Sequence, residues 1–217
     1  MAADAASRGT VVATFDTLVR GCAWTEDAAA RRDVLIAAYC GNDRHYHDIR
    51  HVAVMLDLLE QHATPATDWV AIRWAILYHD VVYDPRRKDN EAESAAAMAR
   101  DFAAFGLDPA LAARVNALIL ATRHGEVAPS GDATTALLID LDLAVLAAPT
   151  AAYDAYAAAI RREYAHVPDA LYREGRARVL QGFLDQAAIY CTESLKSLWE
   201  ASARANLARE IGILRNG

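Results

Sequence analysis

Cysteine is scarce in this chain: Cys22, Cys40 and Cys191 stand far apart and form no Cys-x-x-Cys pair. Such an odd, sparse set excludes a disulfide scaffold and fits reduced thiols that pack as small, semi-buried apolar side chains. Basic charge is short as well. Lys and Arg number 22 against 29 Asp and Glu, a formal net charge of -7. A general nucleic-acid binder displaces counterions with clustered Lys and Arg, so nucleic acid is not an expected partner. A small phosphorylated ligand stays open, because a metal and a few local arginines can reverse the sign inside a cleft. No apolar run reaches the about 18 to 20 residues that cross a bilayer. The opening Met-Ala-Ala-Asp-Ala-Ala-Ser-Arg carries an acid and lacks the apolar core of a signal peptide. The expectation is a cytoplasmic protein with no membrane partner.

Several motifs are missing too. There is no Gly-x-x-x-x-Gly-Lys-Ser/Thr, Gly-x-Gly-x-x-Gly, His-Glu-x-x-His or Gly-x-Ser-x-Gly. That removes the phosphate-cradling loop, the dinucleotide fingerprint, the two-histidine zinc helix and the nucleophile elbow from consideration. No internal repeat, low-complexity tract or linker is evident, and no series of alternating strands.

What remains is a pattern of helices. A length of 217 residues with 54% hydrophobic and 24% charged side chains suits one soluble globular domain with one core. Alanine richness favours closely packed helices. Periodicity predicts an all-α single-domain bundle of nine or ten helices, near 10–20, 26–40, 46–62, 67–79, 90–105, 109–122, 132–147, 150–165, 169–188 and 192–215. Asp108-Pro109 places an N-cap acid before a first-turn proline, and Asn90-Glu-Ala-Glu93 has the spacing of a capping box. Gly106, Pro149 and Pro168 fall where the pattern breaks, and Val81 to Asp89 reads as a loop. On the last helix Leu195, Leu198, Trp199, Ala203, Asn206, Leu207, Ile211 and Leu214 form a stripe that packs within the monomer or makes a homodimer seam.

The chemistry concentrates at His79-Asp80, which ends the apolar segment Trp69-Val-Ala-Ile-Arg-Trp-Ala-Ile-Leu-Tyr78. Imidazole and carboxylate are good first-row metal ligands, and both are costly at the buried end of such a segment without a partner. Consecutive side chains diverge by about 100° inside a helix, but at a helix end the chain can turn and bring them together. His51 lies upstream, within His45-Tyr-His47-Asp-Ile-Arg-His51, and Asp142 downstream, within Leu138-Ile-Asp140-Leu-Asp142-Leu-Ala-Val-Leu146. Together they would make a site of two nitrogens and two oxygens. His47 is four positions before His51, so a helix would put both on one face.

In order and context, these residues resemble the HD-domain superfamily of metal-dependent phosphohydrolases. His51 matches its first ligand, His79 and Asp80 its doublet, and Asp142 its last Asp. The likeness continues through Tyr46-His47, Val82-Tyr-Asp-Pro85, Asn90-Glu-Ala-Glu-Ser94, Ala121-Thr-Arg-His124 and Ile160-Arg-Arg-Glu-Tyr-Ala-His-Val-Pro168, from about position 31 to the C-terminus. It implies an HD-type helical bundle, and a hydrolase that holds one or two divalent ions and uses metal-activated water on a phosphate ester or anhydride, with a nucleotide as the small phosphorylated substrate. Mn, Fe, Co, Ni or Zn suits the donors better than Mg. The Gly-Tyr-Pro signature of the cyclic-dinucleotide branch is absent. A non-catalytic nucleotide or metal sensor and an HD-type di-iron oxygenase are the alternative functions.

The remaining candidates carry two readings each. Asp80 either bridges two ions or orients the attacking water. His124 resembles the extra histidine of two-metal HD branches, serving as ligand or phosphate contact, or else is a surface histidine. Glu93 is a general base or a capping carboxylate. Asp140 competes with Asp142; the resemblance favours Asp142, because it implies a short apolar helical stretch after the last Asp, here Leu143-Ala-Val-Leu146. His47 is a candidate substrate contact. For phosphate, Arg123 stands out among Arg44, Arg50, Arg86, Arg87 and Lys88, since guanidinium matches phosphate oxygens in a bidentate fork. Arg161 and Arg176 read as phosphate contacts or as ion pairs between helices. His45, His62 and His166 read as surface or hydrogen-bonded residues.

Overall fold

A computed structural model describes residues 2–20, 26–123 and 132–216. Cys22 and His124 lie outside them. Among the described residues the protein is all-helical, with no strand. Ten α-helices run α1 Ala2–Val19, α2 Glu26–Ala38, α3 Ile49–His62, α4 Trp69–Tyr78, α5 Asn90–Phe105, α6 Pro109–Ala121, α7 Ala133–Asp142, α8 Thr150–Glu163, α9 Asp169–Leu184 and α10 Glu193–Asn216, with a 3-10 helix at Leu143–Ala147. No single helix among them is long and apolar enough to cross a membrane. The chain divides into two compact units, Met1–Leu138 and Ile139–Gly217, and the division falls inside α7.

The first unit is organised around α4. Seven of its ten residues are buried, as expected of a helix that is apolar nearly all round. It packs against α1, α3, α5 and α6. Trp74 anchors the core, with its ring centroid 5.5 Å from Phe15 and 5.0 Å from Phe102. Local chemistry sets the helix ends. Asp68 accepts from the amide of Ala71 to start α4, Asp48 from that of Arg50 to start α3, and Asp108 from that of Ala110 before Pro109. Gly106 closes α5 in the left-handed region at φ 64°, which L side chains rarely adopt.

Four boundaries differ from the periodic reading. α1 begins at Ala2 rather than near 10, because its alanine-rich start propagates the helix well before the apolar stripe begins. α3 starts at Ile49, not 46: Asp48 adopts an extended cap conformation, and residues 45–48 form a bend. α9 ends at Leu184 instead of 188, and the stretch 132–147 is split into α7 and the 3-10 helix. The capping box at Asn90 does not form. The Asn90 side chain instead accepts from the Asp84 amide at 3.1 Å and donates to the Asp84 carbonyl at 2.9 Å, pinning the 81–89 loop.

In the second unit α10 packs on α9 and on the 3-10 helix. Leu195, Ala203, Asn206, Leu207 and Ile211 of its stripe are buried, whereas Leu198 is 62% exposed. Asn206 donates to the carbonyls of Leu146 and Ala148, and Arg176 forms a two-pronged pair with Glu210 at 2.9 and 3.2 Å. Arg176 is thus an interhelical ion-pair residue. Arg161 donates to the carbonyls of Tyr164 and Val167.

Candidate metal centre

Buried α4 delivers His79 as its C-cap residue, and the chain turns immediately afterwards. The consecutive side chains of the doublet therefore converge, with His79 Nε2 lying 3.1 Å from Asp80 Oδ2. His51 sits in the first turn of α3, where Asp48 caps the helix and His51 donates its amide to the Asp48 carbonyl. Its Nε2 lies 3.2 Å from that of His79, across 28 positions of sequence. Asp142 is the last residue of α7, a helix that begins in the first unit.

Hydrogen bookkeeping tests whether a cation fits. His79 Nδ1 lies 3.0 Å from the carbonyl oxygen of Ile76, which can only accept, so the ring hydrogen sits on Nδ1. A neutral His79 then presents a lone pair at Nε2, and it does so toward a second imidazole nitrogen and a carboxylate oxygen. His79 is only 1% exposed, and a divalent cation would meet its lone pair there. Imidazole nitrogens about 2.1 Å from a shared ion at a tetrahedral angle stand roughly 3.4 Å apart, close to the 3.2 Å found here. The bond from His79 Nδ1 to a backbone carbonyl is also the arrangement that fixes tautomer and ring orientation in metal-binding histidines.

The two acids of the 138–146 stretch serve different ends. Asp140 is fully buried, and its two oxygens accept the amides of Cys191 at 2.6 Å and Thr192 at 2.7 Å. Burial pushes its carboxyl above the ordinary range, and the two amide donors act the other way. Asp140 therefore ties α7 to the segment leading into α10.

His47 is brought close, though not as a helix neighbour of His51: it precedes the cap, in the bend. Its ring stacks on Tyr83 at 4.1 Å and 26°, and lies 6.2 Å from the His51 ring. Tyr46 packs against His51 at 4.9 Å. Glu93 accepts from Arg87 at 3.1 Å rather than closing a capping box. Arg123 is exposed just beyond α6, and the candidate role of His124 falls outside the described residues.

Among the other basic candidates, Arg50 pairs with Asp48, Arg86 stands 3.7 Å from Asp84, and Arg87 forks onto Asp89 at 2.8 and 2.9 Å. Arg44 has a role that its sequence context does not announce. It donates to the carbonyls of His47 at 2.9 Å, Asp80 at 2.7 Å and Val81 at 2.9 Å. Ser94, fully buried on α5, accepts from the Val82 amide at 3.1 Å and lies 3.2 Å from the Val82 carbonyl, holding the same loop from the other side. Nothing short of the tertiary fold marks either residue, because the hydrogen bonds they make here go to backbone atoms.

No family model, curated protein or solved structure matches the chain. His51, His79 and Asp142 are residues that could hold a metal ion.

Proposed function

We propose that this chain is a metal-dependent hydrolase of the HD type that cleaves a phosphate ester or anhydride, a nucleotide being the candidate substrate, with His51, His79, Asp80 and Asp142 holding its divalent ion. The supporting observation is the convergence of two imidazole nitrogens at 3.2 Å on a buried, acid-flanked centre. The reaction class rests on the ordered motif resemblance, since a helical fold alone does not specify chemistry. Mn, Fe, Co, Ni or Zn fits mixed nitrogen and oxygen donors better than Mg. When bound, such an ion supplies charge neutralisation and an acidified water.

The chain's own residues do the rest. Ile76 fixes the His79 ring through its carbonyl. Asp80, whose side chain is 16% exposed, orients the attacking water and takes its proton. His47, held against Tyr83, contacts the phosphoryl group, while Arg123 and His124 are the candidate anion contacts beyond α6. Glu93 is assigned no proton transfer ahead of Asp80, because Arg87 already engages it.

Metal analysis of protein purified without chelator comes first, followed by a panel of nucleoside mono-, di- and triphosphates with Mn, Co, Ni and Mg. First-row metal and turnover of at least one compound are expected. Metal and nucleotide binding without turnover would select a sensor module, and oxygen consumption with iron bound would select a di-iron oxygenase. A protein that takes up no metal would leave the two imidazoles sharing a proton, and the proposal would fall.

A further inference from the structure

Three of the four ligands proposed for the centre come from two pieces of chain. One is the bend at residues 45–48, which leads into the first turn of α3 and His51; the other is the exit of α4, with His79, Asp80 and Val81. A single guanidinium joins them. Arg44 Nη1 donates to the His47 carbonyl on the first piece and to the Asp80 carbonyl on the second, while Nη2 donates to Val81. Its Cζ lies 5.1 Å from the Tyr39 ring centroid and 5.6 Å from that of Tyr83, so aromatic rings pack around the fork. Carbonyls just past a helix C-terminus have no intrahelical donor, and a planar fork satisfies several of them at once in a fixed geometry that a rotatable ammonium does not impose. One of these carbonyls is that of Asp80 itself and another that of Val81, the next residue, so their position bears on where the Asp80 carboxylate can stand.

We infer that Arg44 is a positioning residue for the metal centre: it clasps the peptide units behind His47 and Asp80 and thereby sets the spacing of His51 against His79 and Asp80. The inference rests on the proposed metal site. It assigns Arg44 no contact with phosphate, because its donors are turned onto the chain. The sign of its effect separates this role from a simple charge effect. A cationic side chain near a cation site repels the ion, so removing the charge should tighten binding if electrostatics alone acts. Removing a clasp should loosen it.

The test uses the full chain, stripped of metal and titrated with Co(II) alone by calorimetry and by its visible absorption, which reports ligand geometry. Arg44→Lys keeps the charge and loses the fork; Arg44→Met loses both. Val115→Ala, in the buried face of α6, serves as a control that lowers the melting temperature away from the site. Both Arg44 variants are expected to weaken Co(II) binding about 10-fold or more and to change the absorption band, while Val115→Ala leaves affinity and band unchanged. Unchanged or tighter binding in either folded Arg44 variant overturns the inference, as does an equal loss of affinity in Val115→Ala. If Arg44→Met does not fold, Arg44→Lys decides. If neither gives native helicity by circular dichroism, Arg44 holds the fold rather than the site, and the inference is overturned. A wild-type chain that takes up no Co(II) instead removes the metal site itself, a result distinct from all of these.

Discussion

Asp140 and Asp142 differ by two positions and, at about 100° per residue, point roughly 200° apart around α7, so one cannot stand in for the other. Asp140 spends both oxygens on the amides of Cys191 and Thr192, whereas Asp142 belongs to the group that could hold a metal ion. Their substitutions should therefore separate. Asp140→Asn sets an amide nitrogen against a backbone donor and should cost about 1–3 kcal/mol, read by thermal or urea denaturation, while metal affinity in the folded fraction is preserved. Asp142→Asn should weaken metal binding at least about 10-fold by calorimetry. The reverse pattern would exchange their roles. Asp80→Ala is expected to lose metal and turnover yet remain helical by circular dichroism; wild-type turnover in that variant would remove Asp80 from catalysis. The arginines teach a related lesson. Six basic residues near the motifs looked available for phosphate, but Arg44, Arg50 and Arg87 are engaged by the chain's own carbonyls and carboxylates. A charged residue's partner is chosen by the fold, and sequence proximity does not reveal it.

At the level of the element, helix ends were readable wherever the determinant is local. Asp108-Pro109 and Gly106 act within their own turn, and the structure places them at the start of α6 and the end of α5. Asn90 was misleading for the converse reason: its capping-box spacing is local, but its side chain gains two bonds to Asp84 across the loop. Ahead of α7, Asp132 accepts from the amides of Thr134 and Thr135 and pairs with Arg114 at 2.7 Å. The Arg114 guanidinium, helped by the Thr135 hydroxyl, holds its carboxyl down at about 2. A depressed folded value means stabilisation that is present above the ordinary carboxylate range and lost as pH falls through about 2. Asp132→Asn should accordingly flatten the loss of stability between about pH 4 and pH 2, measured by melting temperature across that window. An unchanged acid limb would show that the pair contributes nothing. The α5 and loop junction gives a second element-level expectation: Ser94→Ala strips the Val82 peptide of a buried partner and should cost about 1–3 kcal/mol, again by denaturation.

For the whole molecule, a ligand that binds only the folded chain stabilises it by mass action. A divalent ion at about a hundred times its dissociation constant should add about 2.7 kcal/mol, a rise of roughly 5–10 °C in melting temperature for a chain of this size, reversed by chelator. A melting temperature indifferent to Mn, Co, Zn and chelator would count against a folded-state ion. The all-helical class, the number of helices and most of their limits could be read from the residues in order, because the 3.6-residue repeat and end capping are interactions among near neighbours. The grouping of one His, a His-Asp doublet and a later Asp was legible as an ordered set of ligand types. Folding alone decided that Asp140 is spent on the amides of Cys191 and Thr192, that Arg44 clasps backbone, and that His47 lies in a bend. Each of these depends on burial against a partner far along the chain, 28 positions for the two imidazoles and 51 for Asp140 and the Cys191 amide, and no local pattern records such a meeting.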